Sequence, residues 1–391
     1  MPSVSSYLTS YGISPGMMRA ATPSISTFST TSYYLTNQGV LEQCSPTVPP
    51  CNFTYIHNGR AYNVDEYNSM IQNETVARAQ PLLFSNSGDM VASFRALANR
   101  TSGITDAATF LAARAAQYSY DSIQIDLEPS CWAQNASVCQ WPVLQDRLSF
   151  VSFLNATADA LHDAAGASLA VAVGNDPESQ CTAPQATKCK AAGDDYAVAC
   201  ERDEWSVDEC NCCAYYIGWF DLDLLCSHSR VARIVNMDTY QAAPWNRSAF
   251  LGAVRWYTSH GCDSRRTSIG LLVDEAETAA SAADIVAAIE SLPSSLGVVA
   301  PTRLDFWANM WQQPAGLPVW ASPLRRFQSP PRPLLPRWVW YAGVGGAVTV
   351  GAACLAGLAT HLARKRCYAA RGTAARRLSG PLLDAHAEND E

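Results

Sequence analysis

Short apolar runs alternate with longer helical patterns between residues 24 and 311. The runs are rich in β-branched residues and predict strands, while the segments between them carry apolar residues at helical spacing. The predicted strands are Ser24–Phe28, Ala77–Phe84, Ser122–Leu127, Ser168–Val173, Arg233–Met237, Thr267–Val273 and Arg303–Trp307. The predicted helices include Asp106–Tyr118, Leu144–Leu161 and Glu275–Leu292. Repeated βα units predict an α/β fold, either a (β/α)8 TIM barrel or an open doubly wound sheet without a dinucleotide-binding glycine motif.

Residues 174–230 interrupt this alternation and carry seven cysteines. We interpret the segment as a Cys-rich insertion that is stapled by disulfides. Cys210 and Cys213 have the Cys-x2-Cys spacing of a metal site, but no matching second pair occurs in the sequence. We therefore expect no metal ion and no other cofactor.

The chain changes character after residue 320. Residues 321–337 are rich in proline and arginine and predict an extended stalk. Residues 338–360 contain no charged side chain and are long enough to cross a bilayer as a helix, so they predict a transmembrane helix, with residues 361–391 as a cytoplasmic tail.

Sequons and cysteines predict the orientation of this helix. Twelve of the fourteen cysteines precede it, and so do all six Asn-x-Ser/Thr sequons. The sequons begin at Asn52, Asn73, Asn99, Asn135, Asn155 and Asn246. We expect a single-pass type I membrane protein whose glycosylated N-terminal part lies outside the cell or in the endolysosomal lumen. The net charge of −8 with only three lysines argues against nucleic acid as a partner.

The first residues of the sequence lack the apolar segment of a signal peptide, so we expect that a leader precedes them. The first strand of a barrel is also hard to find. It is either the weak run Ser3–Leu8 or missing from this sequence.

The run from Tyr120 to Pro129 is the most informative local feature. In a strand, alternate residues face opposite sides, so Gln124, Asp126 and Glu128 share one face, and the isoleucines and leucine between them share the other. Two carboxylates this close repel each other, which raises the pKa of one and keeps it a proton donor near neutrality. The pattern therefore predicts a general acid. The alternative is an exposed edge strand with solvated acids.

This run resembles the D-G-x-D-x-D-x-E signature of family 18 glycoside hydrolases, the chitinases and their relatives. Asp121, Asp126 and Glu128 match acidic positions of the signature, whereas Ser122 replaces its glycine and Gln124 its middle acid. The chitobiase-like branch, in which an amide can occupy the middle position, is the most similar. The resemblance implies a TIM barrel over residues 1–320, with the signature at the end of its fourth strand.

The resemblance also implies roles for these residues. Glu128 would protonate the leaving oxygen and later activate water, and Asp126 would orient the substrate's acetamido group. Gln124 could hydrogen-bond Asp126 but cannot relay a proton. Tyr240 resembles the tyrosine that hydrogen-bonds the acetamido carbonyl. The implied substrate-binding residues are Asp121, Gln124, Tyr240, Trp307 and Trp311, of which the two tryptophans would stack under a sugar ring.

The expected function is hydrolysis of β-1,4-linked N-acetylglucosamine oligosaccharides by substrate-assisted, retaining catalysis. Two alternatives remain open from the sequence. One is a catalytically inactive, chitinase-like membrane protein that binds such sugars, which the amide at Gln124 favours. The other is a cell-surface barrel with an unrelated ligand.

Overall fold

The computed structural model describes residues 3–8, 26–44, 55–57, 60–74, 77–85, 89–240, 245–272, 279–297 and 303–307. All of them belong to one compact unit, Met1–Pro330. The predicted stalk, transmembrane helix and tail lie outside the described residues. Within the described residues, no helix combines the length and the apolar character needed to cross a membrane.

Parallel strands form a closed ring in the described part of the chain. The strands are β1 (Ser3–Leu8), β2 (Thr27–Leu35), β3 (Leu41–Gln43), β4 (Tyr55–His57), β5 (Arg60–Tyr62), β6 (Arg78–Ser85), β7 (Ser122–Asp126), β8 (Ser168–Val173), β9 (Arg233–Asn236), β10 (Thr267–Leu272) and β11 (Arg303–Trp307). The parallel order is β1, β2, β6, β7, β8, β9, β10, β11, and β1 pairs with both β2 and β11. Strand β3 is antiparallel to β2, and β4 and β5 pair in a separate hairpin. The predicted α/β TIM-like fold is confirmed, and its first strand is Ser3–Leu8.

Helices fill the connections between the strands. They are α1 (Val64–Glu74), α2 (Met90–Ala98), α3 (Gly103–Tyr118), α4 (Leu144–Ala165), α5 (Pro177–Gln180), α6 (Ala183–Ala192), α7 (Asp195–Glu201), α8 (Val207–Cys213), α9 (Leu222–His228), α10 (Arg247–Ser259) and α11 (Ala279–Leu296). A π-helix follows α8 directly, at Ala214–Trp219. The predicted helices therefore exist, with α4 running four residues further than expected because its stop is Gly166 in the left-handed conformation.

The main core lies between the outer face of the barrel and the helices. Ile123, Ile125 and Leu127 of the signature run are buried there, as the alternation along the strand predicts. On α4, the apolar residues Leu144 and Leu148 are 47% and 43% exposed. The buried face of α4 instead carries three large residues, Phe150, Phe153 and Leu154. The helix is rotated so that its aromatic side chains, which bury more area, face the core.

Disulfides staple the Cys-rich insertion, as predicted. Three bridges lie within it: Cys181–Cys212 joins the segment between α5 and α6 to α8, Cys189–Cys213 joins α6 to α8, and Cys200–Cys210 joins α7 to α8. Cys226–Cys262 ties the insertion to the segment before β10, and Cys131–Cys139 lies in the loop after β7. The sulfurs of Cys189, Cys212 and Cys213 lie within 4.8 Å of one another. All three are in disulfides, so this cluster offers no thiolate to a metal ion.

Candidate active site

The carboxyl pair of the signature run lies where β7 ends. This strand is the fourth of the parallel ring, which is the place the family resemblance implies for the signature. Asp126 is the last residue of β7 and is 7% exposed, and Glu128 follows two residues later. In TIM barrels the C-terminal ends of the strands form the active-site face. The structure therefore puts both predicted catalytic carboxyls at that face.

Burial and mutual repulsion both act on this pair. The pKa of Asp126 is raised well above its ordinary value, first by burial and then by the charge of Glu128 and the hydrogen bond between the two carboxyls. Burial also raises the pKa of Glu128, against hydrogen bonds from Tyr215 and Asp126 that lower it. The sequence predicted repulsion as the cause, but burial is the larger one. The pair titrates as a unit and holds a proton at higher pH than isolated carboxyls do.

One oxygen of the pair has no internal partner. Asp126 Oδ1 is buried and accepts no hydrogen bond from the described residues. Buried acceptors are nearly always satisfied in folded proteins, so an exception needs a physical explanation. Here the oxygen lies at the functional end of a barrel, where a bound ligand can supply the donor.

Tyr240 reaches the same end of the barrel from the segment after β9. Its pKa is raised well above the ordinary value, by burial first and then by the charges of Asp126, Asp305 and Glu128. The ring lies against Gly270 of β10, where an added Cβ would come within 2.4 Å of a ring carbon. Glycine at this position therefore makes room for the tyrosine. The structure brings Tyr240 together with the carboxyl pair, as the resemblance implies.

Gln124 lies deeper in the barrel than the pair. It is fully buried, and its side-chain oxygen accepts a hydrogen bond of 3.4 Å from Arg233 Nη2 of β9. The same guanidinium donates to Gln80 Oε1 at 2.8 Å and pairs with Asp305 at 3.2 Å. These side chains come from β6, β7, β9 and β11, so the contacts cross the inside of the barrel. Gln124 thus belongs to a polar network below the carboxyl pair.

Comparison with solved structures identifies the fold. A chitinase from Chromobacterium violaceum is similar at 13% identity and a TM-score of 0.53, with 83% of this chain and 99% of that chain covered. The Ostrinia furnacalis Group IV chitinase gives 11% identity and a TM-score of 0.51, with 83% of this chain and 100% of that chain covered. The chain has the chitinase-like fold of glycoside hydrolase family 18. The Bacillus megaterium spore cortex-lytic enzyme SleL is similar at 12% identity and a TM-score of 0.52, with 85% of this chain and 75% of that chain covered. No protein-family profile and no curated protein matches the sequence.

Within this chitinase-like fold, Asp121 is not brought to the carboxyl pair, and the described residues do not include the side chains of Trp307 and Trp311. Asp121 precedes β7, at the end of the barrel opposite to Glu128, and its exposed carboxylate pairs with Arg78 at 3.3 Å. Trp307 is the last residue of β11, which places its backbone at the C-terminal end of the barrel, but its side chain is not described. Trp311 lies outside the described residues.

Sequence reasoning missed a tyrosine that touches the general-acid candidate. The Tyr215 hydroxyl donates a hydrogen bond to Glu128 Oε2, and Ser130 donates one to the same phenol. Tyr215 lies in the π-helix at the end of the Cys-rich insertion. That segment has no helical or strand periodicity to draw attention to it. The available signal was its position, since it directly follows two adjacent cysteines, which form disulfides within the insertion.

Asp238 and Asn175 organise the segments around this tyrosine. Asp238 is buried and accepts hydrogen bonds from the backbone of Asn175 and Asp176 at 2.6 and 2.8 Å. Asn175 Nδ2 in turn donates to the carbonyls of Tyr215 and Tyr216 at 3.1 and 2.8 Å. Burial raises the pKa of Asp238, and these donors act against that rise. The network links the end of β8 to the π-helix.

A cavity of about 310 Å³ lies at the other end of the barrel. It is lined by Gln80, Ser122, Ser168, Ala170, Ala232, Arg233, Arg265 and Arg303. These residues lie near the N-terminal ends of the strands, away from Asp126 and Glu128. In TIM barrels that face contributes to stability rather than to chemistry, so we do not assign the reaction to this cavity.

Proposed function

We propose that the protein is a glycoside hydrolase that cleaves β-1,4-linked N-acetylglucosamine oligosaccharides by substrate-assisted, retaining catalysis. The observation that carries the proposal is the buried, unsatisfied Asp126 Oδ1 beside Glu128 at the C-terminal end of the barrel. Leaving such an acceptor unpaired costs about 1–3 kcal/mol, which favours a ligand that supplies a donor. The N–H of an acetamido group is such a donor.

The similar solved structures support the substrate class. They include chitinases, and the Ostrinia furnacalis Group IV chitinase has been crystallised in complex with allosamidin. These relatives share the fold at low identity, so the choice of substrate for this chain rests on the acid pair and its surroundings.

In the first step, Glu128 gives its proton to the glycosidic oxygen. The carbonyl oxygen of the substrate's own acetamido group attacks the anomeric carbon as the bond to the leaving oxygen breaks. The product is an oxazolinium ion. Asp126 Oδ1 accepts the acetamido N–H and stabilises the positive charge that develops there.

In the second step, Glu128 has become a carboxylate and acts as a base. It removes a proton from water, whose oxygen attacks the anomeric carbon and opens the oxazolinium ring. Two inversions at this carbon give net retention. The raised pKa values of the pair suit both steps, because the pair keeps a proton to higher pH than isolated carboxyls do and can take it back in the second step.

A turnover assay with an isosteric variant tests the proposal. The purified full-length chain is incubated with chitotetraose, and products are followed by mass spectrometry and their anomeric form by NMR. Loss of a positioned general acid costs about 10²–10⁴-fold in rate, so Glu128→Gln is expected to lose activity by that factor. Glu201→Gln, at the exposed end of α7, is the matched control and is expected to equal the wild type.

Three results would contradict the proposal. Turnover by Glu128→Gln at the wild-type rate would show that Glu128 is not the general acid. A first product of inverted configuration would exclude the retaining mechanism. Binding of chitotetraose without turnover would replace the enzyme with an inactive sugar-binding protein.

The membrane topology remains a prediction. The disulfides of the described region support an oxidising compartment for the barrel. Glycosylation at the sequons and insertion of residues 338–360 are expectations from the sequence.

A further inference from the structure

Tyr215 reaches the acid pair from the Cys-rich insertion rather than from a barrel strand. Its hydroxyl donates to Glu128 Oε2, and the neighbouring loop is joined to the insertion by a second contact. Asn211 accepts from the Cys131 backbone N–H at 2.8 Å and donates to the Cys131 carbonyl at 3.0 Å. The insertion is therefore fastened to the loop that carries Glu128 at two places.

Both ends of the π-helix that carries Tyr215 are fixed. The residues directly before it, Cys212 and Cys213, form disulfides with Cys181 and Cys189. Its last residue, Trp219, is buried in the main core, with ring centroids 4.6 Å from Phe150 and 5.0 Å from Phe94. Asn175 holds the carbonyls between these ends. Single turns of π-helix occur frequently at functional sites, and here the turn places one phenol with little freedom to move.

The titratable groups that face Glu128 come from three elements. Asp126 is on its own strand end, Tyr215 comes from the insertion, and Tyr240 comes from the segment after β9. A hydroxyl that donates to a carboxylate stabilises the ionised form. Tyr215 therefore opposes the effect of burial on Glu128, and it restrains the Glu128 carboxyl in one orientation.

We propose that Tyr215 is a positioning residue that holds the Glu128 carboxyl and sets the upper pH limit of the reaction. This inference rests on the proposed function, because it needs Glu128 to act as the general acid. The acid must be protonated in the first step, so the rate falls as pH rises and the pair loses its proton. Without the Tyr215 hydroxyl the ionised pair is less stable, and this fall moves to higher pH.

The test compares Tyr215→Phe with Tyr216→Phe in the full-length chain. Both variants remove one hydroxyl from the same π-helix, and only the first removes the donor to Glu128. For each protein, kcat/KM for chitotetraose is measured against pH. The carboxyls are also titrated by ¹³C NMR after labelling of aspartate and glutamate, with the Glu128 resonance assigned by its absence in Glu128→Gln.

We expect Tyr215→Phe to move the alkaline limb and the Glu128 titration upward by about one pH unit, the effect of one hydrogen bond to a charged group. KM is expected to stay near the wild-type value, and Tyr216→Phe is expected to coincide with the wild type in both measurements. A purely structural role would lower the rate at every pH and leave the titration where it was. That result would overturn the inference.

The NMR titration separates failure of this inference from failure of the proposed function. A shifted Glu128 titration without turnover by the wild type would overturn the proposed function and support the contact between Tyr215 and Glu128. Turnover by the wild type with coincident titrations would overturn the role of Tyr215 alone. If Tyr215→Phe does not fold, Asn175→Ala releases the carbonyls of the π-helix instead, and the same upward shift is expected with a smaller size. Its absence in a folded Asn175→Ala protein would also overturn the inference.

Discussion

Charged side chains are arranged in opposite ways at the two ends of the barrel interior. Toward the N-terminal ends of the strands, the Asp305 carboxylate lies between Arg233 at 3.2 Å and Arg303 at 3.6 Å, and Gln80 accepts from both guanidiniums. Toward the C-terminal ends, Asp126 and Glu128 place two acids side by side, and the charge of Glu128 helps to raise the pKa of Asp126.

The difference distinguishes an end of the barrel interior that stabilises the fold from an end that is suited to a function. Opposite charges in hydrogen-bonding contact allow a buried ion pair to persist, whereas adjacent acids under burial cost stability. Natural sequences break local rules of this kind mainly at functional sites. The contrast between the two ends is therefore independent support for a catalytic role of the carboxyl pair.

The largest expected effect on stability is at the N-terminal end of the barrel interior, where Asp305 is paired with two arginines. Asp305→Ala removes the carboxylate that both guanidiniums contact, and breaking a buried ion pair from one side costs about 3–5 kcal/mol. We expect the free energy of unfolding, measured by urea denaturation, to fall by that amount. Asp305→Asn keeps the shape and one acceptor and is expected to lose less. Equal stability of Asp305→Ala and the wild type would show that these ion pairs do not stabilise the fold.

At the C-terminal end of the barrel interior, where Asp126 and Glu128 lie, we expect a substitution to raise the free energy of unfolding instead. Asp126→Asn removes a buried carboxyl whose raised pKa makes ionisation unfavourable in the folded state. The folded protein binds the proton of this carboxyl more tightly than the unfolded chain does. The destabilisation caused by ionising Asp126 is therefore absent below about pH 4, grows as pH rises toward the folded pKa, and persists above it. We expect the variant to be more stable by about 1–2 kcal/mol at neutral pH, the cost of an unsatisfied buried group.

Urea denaturation at two pH values checks this expectation. The gain in stability of Asp126→Asn should be largest at neutral pH and should disappear near pH 4. Turnover should fall at the same time, since the amide cannot stabilise positive charge as the carboxylate does. A variant that is less stable at neutral pH would contradict the contrast between the two ends.

The smallest effect is expected on the outside of the barrel. Arg78 and Asp121 form an ion pair of 3.3 Å, almost the same length as the pair of Arg233 with Asp305, but their side chains are 60% and 62% exposed. Exposed pairs contribute about 0–1 kcal/mol. We therefore expect Asp121→Asn to change the free energy of unfolding by less than about 1 kcal/mol. A loss as large as that of Asp305→Ala would mean that burial does not control these ion pairs.

The sequence predicted the elements whose pattern is local. Apolar runs bounded by turn residues placed most of the strands within one or two residues of their observed ends, and the signature run located the acid pair on the fourth strand. Strand β2 was placed too early, at Ser24–Phe28 instead of Thr27–Leu35. Its threonines and serines line a closed barrel, where polar residues can be buried against one another, and a simple search for apolar runs overlooks them.

The parts that could not be predicted depend on distant contacts. Gln80, Arg233 and Asp305 lie on three different strands that are far apart in sequence, and only the closure of the barrel makes them one network. Tyr215 meets Glu128 across 87 positions of sequence. Neither contact leaves a spacing pattern in the chain, so no periodicity could reveal it.

The adjacent cysteines before the π-helix have a consequence for the timing of maturation. The barrel is held by its own core and strand pairing, whereas the segment that carries Tyr215 is held partly by bonds that form only under oxidation. We expect a newly made chain to acquire its barrel before its complete active site. Competence for the proposed reaction would then follow the folding of the barrel and depend on the oxidation of these cysteines.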